Sequence, residues 1–147
     1  MNKNTYADVL RELIRQLIRN SSFQDKAEAS CCGTTVGQCY AISEIGRAEA
    51  LSLNELAGLL NLDNSTMSRT INNLVDQGLV TRETDPQDRR YVKMRLTDRG
   101  LAIFRSIEEN MDSYYRSLLK YIPEDKHEQM IESLKLLLEA MKKIQCC

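Results

Sequence analysis

Apolar residues recur near the start of the chain with the spacing of a helix. From about Thr5 to Arg19 they follow steps of three and one, which places them on one face: Tyr6, Val9, Leu10, Leu13, Ile14, Leu17 and Ile18. A second stripe follows Pro123: Met130, Ile131, Leu134, Leu137, Leu138, Met141 and Ile144. Both stripes exceed what one small domain covers, so they predict the interface of a dimer.

Short helices with readable starts are predicted in the middle of the chain. A polar stretch at 20–30 and a cysteine-containing loop precede them. Thr35 with Gln38, and Ser52 with Glu55, have the spacing of capping boxes, and Gly46 is expected to end the first of these helices. Asp63 is the expected cap of the next helix, which Gly78 stops. The helix capped by Ser52 and the helix capped by Asp63, joined by a tight turn, predict a helix-turn-helix.

After Gly78 the apolar period changes from that of a helix to two. "LVTR" predicts a short strand, and in "YVKMRL" Val92, Met94 and Leu96 alternate with polar residues. The segment between them, "ETDPQDR", is typical of a turn, and Thr97 is expected to cap a long helix to about Tyr121. The predicted fold is mainly α with a small β-hairpin wing. Residues 35–99 form the winged helix-turn-helix, and 1–34 and 100–147 form dimerisation helices.

Composition and charge restrict the classes of function. At 147 residues one domain is expected, and a net charge of −1 gives no global basic field, so contact with nucleic acid must come from a local patch. From Leu79 to Arg99 there are six Lys and Arg against four Asp and Glu, a modest excess. The charged N-terminal segment resembles neither a signal peptide nor a membrane span, so a cytoplasmic location without membrane contact is expected.

Two groups of polar residues are candidates for contact with DNA. Short hydroxyls bond phosphates or base edges, and an exposed arginine reaches guanine. Arg90 at the wing tip is the candidate for minor-groove insertion, and Asp88 would orient it. The candidates are Ser65, Thr66, Ser68, Arg69 and Asn72 on the second helix of the helix-turn-helix, and Asp88, Arg89 and Arg90 on the wing.

The run "STMSRTINNLVDQGLVTRETDPQDRRYVKMRLTDRG" closely resembles the multiple-antibiotic-resistance regulator (MarR) family. It contains that family's S-T-x-S-R recognition helix, its L-x-x-x-G-L-V-x-R entry to the wing, and a wing signature made here by Asp88, Arg90, Leu96 and Thr97. The resemblance implies an obligate homodimer whose two winged helices face a pseudo-palindromic operator in double-stranded DNA. It also implies a repressor that a ligand releases.

The cysteines depart from the family pattern. Cys31, Cys32 and Cys39 flank a helix start, where the helix dipole is expected to lower thiol pKa, and Cys146 and Cys147 end the chain. Without CxxC or nearby histidine, the five predict a site for a soft ion that acts as effector, with trivalent arsenic fitting best. The site is expected to bridge subunits if the tail pair belongs to it.

Other uses of the thiols stay open at this point. The repressor is alternatively switched by cysteine oxidation, or it takes an aromatic ligand near Tyr40 and Tyr115 while the cysteines are structural. His127 is expected to be a solvated residue at a helix start. A thiol enzyme is disfavoured because the chain lacks a Gly-rich cofactor loop and a general base near the thiols. The chain is therefore expected to be no enzyme and to hold no constitutive cofactor.

Overall fold

The computed structural model describes residues 3–144, apart from the side chains of Lys3, Asn4, Phe23 and Cys31. The elements are α1 (Lys3–Cys31), α2 (Val36–Ala48), β1 (Leu51–Ser52), α3 (Leu53–Leu60), α4 (Asn64–Asp76), β2 (Val80–Thr84), β3 (Val92–Leu96), α5 (Asp98–Leu119), a 3-10 turn (Glu124–Lys126) and α6 (His127–Ile144). This order confirms the predicted fold class. The chain divides into two compact units, 1–108 and 109–147. Within the described ranges, no helix has the length and apolarity needed to cross a membrane.

Helix α1 is twelve residues longer at its C-terminal end than the apolar stripe predicts. The polar stretch at 20–30 is helical and not a connecting segment, because Gln, Lys, Glu and Ala favour helix without contributing apolar periodicity. The helix ends in a paired hydrogen-bond motif: the amide of Thr34 bonds the carbonyl of Ala29 at 2.9 Å, and that of Gly33 bonds Ser30 at 3.2 Å. Gly33 supplies the left-handed conformation that this ending requires, with φ of 67°.

The predicted helix starts are confirmed, and one predicted end is wrong. Thr35 with Gln38 and Ser52 with Glu55 form complete capping boxes. Helix α2 continues past Gly46 to Ala48, because Gly46 is the place where the ring of Phe104 packs against the helix. A Cβ at Gly46 would lie 2.4 Å from that ring. Gly46 therefore makes room for the ring of Phe104 and does not end α2.

The wing is a three-stranded antiparallel sheet in the order β1-β3-β2, where the sequence predicted two strands. Strand β2 pairs with β3 from Val80 opposite Leu96 to Thr84 opposite Val92. The added strand β1 pairs Leu51 with Met94. Two residues are too short to show a period, so β1 leaves no pattern in the sequence.

The core of the first unit fixes the helix-turn-helix. Helices α2, α3 and α4 contact one another, and α4 also contacts β2. Their largest fully buried side chains are Ile42, Ile45, Leu56, Met67, Ile71 and Leu74. The buried face of α4 is the predicted one, and α4 therefore has a fixed orientation relative to the wing.

In the second unit, α5 ends at Leu119, two residues before the predicted end, and the 3-10 turn precedes α6. His127 begins α6 as predicted, but it is half-buried and not solvated. Its Nε2 lies 3.1 Å from the carbonyl oxygen of Leu119 and 2.9 Å from that of Ile122. The imidazole thus satisfies carbonyls that the end of α5 leaves free.

The two predicted apolar stripes are exposed in the single chain. On α1, Leu13 is 57% exposed and Leu10 and Leu17 are similar. On α6, Leu134, Leu138 and Met141 are all exposed. Exposed apolar rows of this length are typical of surfaces that bind another molecule.

Candidate nucleic-acid interface

Helix α4 carries the first group of predicted contact residues on the face opposite its buried side chains. Met67, Ile71 and Leu74 are fully buried. The spacing of the helix therefore turns the opposite stripe to solvent. Ser68 is half-buried. The other four predicted residues are exposed: Ser65, Thr66, Arg69 and Asn72.

The start of α4 is held by a carboxylate cap. The Thr66 amide donates to Asp63 Oδ1 at 2.7 Å, and the Thr66 hydroxyl donates to Asp63 Oδ2 at 2.8 Å. These two hydrogen bonds hold the pKa of Asp63 below its usual value. The Thr66 hydroxyl consequently presents an acceptor to its surroundings, which suits a base-edge donor better than a phosphate.

Arg69 lies on the exposed stripe of α4 and is the one basic residue among the predicted contacts on this helix. Across the residues that the structure describes, its guanidinium has no hydrogen bond or ion pair, and all five of its N–H donors are available. A planar guanidinium in this state matches the two acceptors on guanine in the major groove.

The wing tip contains an arginine fixed by a carboxylate, as predicted. Arg90 Nε donates to Asp88 Oδ1 and Arg90 Nη2 donates to Asp88 Oδ2, each at 3.1 Å, while the Arg90 amide also donates to Asp88 Oδ1 at 3.1 Å. The Arg90 side chain holds the pKa of Asp88 below its usual value. Arg90 is nevertheless 87% exposed in its side chain, so it projects from the wing in a defined orientation. Arg89 beside it is exposed.

Two wing arginines were not predicted as site residues. Arg82 on β2 donates a hydrogen bond to Asn72 Oδ1, which links the wing to α4. Arg95 on β3 pairs with Glu83 on β2 at 2.8 Å. Strand alternation offers a signal for Arg82, since it lies two residues after the buried Val80 and therefore on the side of the sheet that faces α4.

The cysteines lie where α1 meets α2. Cys31 is the last residue of α1, Cys32 lies in the turn, and Cys39 lies in the first turns of α2. Cys32 Sγ is 3.6 Å from the Oε1 of the buried Glu28, and the Thr34 hydroxyl donates to Cys39 Sγ at 3.6 Å. The turn is therefore shorter than the predicted cysteine loop.

The predicted lowering of thiol pKa at this helix start is wrong for Cys39. Burial raises its pKa above the ordinary value, and the nearby carboxylates of Glu28 and Asp25 add to the rise, against the hydrogen bond from Thr34. Loss of water around the sulfur outweighs the helix dipole because the thiol lies beneath the helix surface. Cys39 is thus a protonated thiol at neutral pH.

The predicted five-thiol site stays a prediction. Among the side chains described, no group of three or more His, Cys, Asp or Glu is arranged to hold a metal ion. Cys39 is a buried free thiol, and the half-exposed Cys32 contacts Glu28 through its sulfur. Cys146, Cys147 and the side chain of Cys31 lie outside the described residues. Of the two tyrosines predicted near an aromatic ligand, Tyr40 donates a hydrogen bond to Asp25 and Tyr115 packs edge-on against Tyr114.

Comparisons with known proteins agree with this fold. The HTH-type transcriptional regulator YdgJ of Bacillus subtilis, itself uncharacterized, is 23% identical over 105 residues, which span 71% of this chain and 64% of YdgJ. FabT of Streptococcus pneumoniae, solved in complex with DNA, is similar at a TM-score of 0.83 and 20% identity, over 94% of this chain and 99% of FabT.

A MarR family protein from Bacillus stearothermophilus has a TM-score of 0.83 and 22% identity, over 97% of this chain and 99% of that one. Residues 33–90, which include α2, α3, α4 and the wing tip, match the model of the MarR family. This match, the helix order and the winged sheet make the chain similar to MarR family proteins, with the winged helix-turn-helix as the matched region.

Proposed function

We propose that the protein is a homodimeric transcriptional repressor that binds a pseudo-palindromic operator in double-stranded DNA. The observation that carries the proposal is the exposed polar stripe of α4 beside a wing whose Arg90 is held by Asp88. The DNA complex of FabT, which has the same fold, supports this use of the winged helix.

Each subunit uses two elements on DNA. Helix α4 enters the major groove, where Arg69 bonds guanine, the Ser65 hydroxyl contacts a base edge or phosphate, and the Thr66 hydroxyl accepts from a base edge. Arg90 enters the neighbouring minor groove, where narrow A·T segments concentrate negative potential. The modest charge excess of the wing is doubled in a dimer, and binding should weaken steeply with salt.

Substitution of Arg90 tests the proposal. We expect Arg90→Ala to weaken operator binding about tenfold at matched salt, because a good specific contact has this value. Arg116→Ala is the matched control, since Arg116 also pairs with an aspartate, Asp112, but on α5. Mobility shift with an operator selected from genomic fragments provides the measurement. Equal affinity of Arg90→Ala and the control would refute the wing assignment, and failure to select any fragment would refute the function.

We propose further that a thiol-reactive effector releases the repressor, with arsenite or another soft metal or metalloid ion as the favoured class. Cys32 and Cys39 lie where α1 joins the first helix of the DNA-binding region, and this position supports the proposal. A pyramidal arsenic site needs three sulfurs. Cys32 and Cys39 supply two, and Cys31 or the tail pair of either subunit supplies the third.

An effector that draws these sulfurs together would move the end of α1 relative to α2 and thereby change the spacing of the two winged helices. Release then follows from the difference in ion affinity between the two arrangements of the dimer. Of the two thiols that the structure describes, Cys32 is the first to react, since it is half-exposed while Cys39 is buried and protonated.

DNA release in the presence of a non-thiol reductant discriminates among the effectors. We expect arsenite to release the parent protein, while Cys32→Ser and Cys39→Ser stay bound at the same arsenite concentration. Release by peroxide alone, lost on reduction, would establish the redox alternative. If neither arsenite nor peroxide releases the protein from DNA, the thiols are structural, and aromatic ligands should be tested next.

A further inference from the structure

The hydrogen bond between Asn72 and Arg82 fixes the orientation of a side chain on the exposed stripe of α4. Asn72 is exposed and directly follows the buried Ile71, one turn beyond Arg69. Arg82 reaches it from β2, on the strand face that it shares with Val80. Contact between α4 and β2 keeps the two residues within reach.

The chemistry of the pair determines which end of the amide is free. A guanidinium has donors only, so its partner on Asn72 must be the carbonyl oxygen Oδ1. The planar amide then directs its nitrogen Nδ2 away from Arg82. Arg82 takes one of the two lone pairs of Oδ1 and holds that oxygen toward β2, so Asn72 turns its two N–H donors outward.

We propose that Arg82 is a positioning residue that makes Asn72 select guanine and not adenine at one base of each operator half-site. The inference rests on the proposed function, in which α4 enters the major groove. An asparagine selects adenine by donating to N7 and accepting from N6 at once, which requires an amide plane that is free to align with the base. Guanine offers two acceptors, N7 and O6, and these match the N–H donors of an amide whose oxygen is held toward β2.

Two substitutions act on this arrangement in opposite ways. Arg82→Met frees Oδ1 while retaining a long apolar stem, so Asn72 regains the adenine pattern. Asn72→Asp keeps an acceptor for Arg82 but replaces the outward donor with an oxygen, so the guanine contact is lost. Asn73→Asp is the matched control, because Asn73 is also exposed on α4 and the change in charge is identical.

The experiment selects sequences from a randomised operator library with the full-length parent and the three variants, at one salt concentration. The parent should prefer guanine over adenine at one position in each half-site by about five- to tenfold, near the lower end for a bidentate base contact. Arg82→Met should shift that position toward adenine, and Asn72→Asp should abolish the guanine preference there. Asn73→Asp should weaken binding without changing the base preference at any position.

Other outcomes separate this inference from the function on which it rests. If the parent selects an operator but Asn72→Asp keeps the parental preference at every position, the inference is overturned and the function stands. The inference also fails if Arg82→Met abolishes selection or retains the guanine preference, because Arg82 then does not act through Asn72. If the parent selects no sequence at all, the proposed function fails and this inference falls with it.

Discussion

Gly100 and Gly58 both lie in helices, and their surroundings differ completely. A Cβ at Gly100, near the start of α5, would lie 2.1 Å from the backbone oxygen of Leu79, which lies between α4 and β2. A Cβ at Gly58 on α3 would meet no atom within 4 Å. Gly100 is required because two backbones approach closely there. Gly58 has no such neighbour, and it makes its helix less stable than an alanine would.

These two glycines give a paired prediction at the residue scale. Gly100→Ala should lower the free energy of unfolding by about 1–3 kcal/mol, because the rigid carbonyl must move. Gly58→Ala should raise it by about 0.5–1 kcal/mol through reduced freedom of the unfolded chain. Urea unfolding at one fixed protein concentration measures both. Similar changes for the two variants would contradict the packing at Leu79.

At the scale of elements, the winged helix depends on helix starts that are set by local hydrogen bonds. In α2, Gln38 N donates to Thr35 Oγ1 at 3.2 Å, and Thr35 N donates to Gln38 Oε1 at 3.1 Å. This box orients the helix that packs against α3 and α4 and whose first turns contain Cys39. The capping box therefore also fixes the backbone position of Cys39.

Removal of the cap gives the prediction at the scale of the element. Thr35→Ala should lower the free energy of unfolding by about 1 kcal/mol, because the Gln38 amide loses its acceptor. Thr35→Ser retains the hydroxyl and should stay close to the parent. Chemical denaturation followed by circular dichroism makes the comparison, and a serine variant as unstable as the alanine variant would exclude the capping role.

At the scale of the whole molecule, the exposed apolar rows on α1 and α6 require a partner. We expect sedimentation at micromolar concentration to show one species of about twice the 16.9 kDa chain mass. Leu13→Glu should shift it toward the chain mass, because a charge placed in an apolar interface has no compensating partner.

The control for Leu13 is an equally exposed leucine outside the proposed interface. Leu59 on α3 is 56% exposed against 57% for Leu13, so Leu59→Glu makes the same chemical change at matched exposure. It should leave the dimer intact. A parent protein that sediments as a single folded chain, or a Leu13→Glu variant indistinguishable from it, would refute the dimer.

The sequence by itself determined the features that depend on residues close together in the chain. Capping at Thr35, Ser52 and Asp63, the buried face of α4 and the pairing of Asp88 with Arg90 all follow from spacings of two to four residues, where local geometry leaves few alternatives. The motifs of α4 and the wing added the resemblance to the MarR family. The wing tip and the exposed stripe of α4 were predictable for that reason.

Only the tertiary structure decided the features in which distant segments meet. Strand β1 forms because Leu51 pairs with Met94, and Gly46 stays helical because Phe104 packs on it. Cys39 is a protonated thiol because surrounding groups exclude water, a condition that no local spacing encodes. The Oδ1 of Asn72 accepts a hydrogen bond from Arg82, which reaches it from another element. Each of these four features depends on burial or on contacts between elements, and such contacts exist only once the chain has folded.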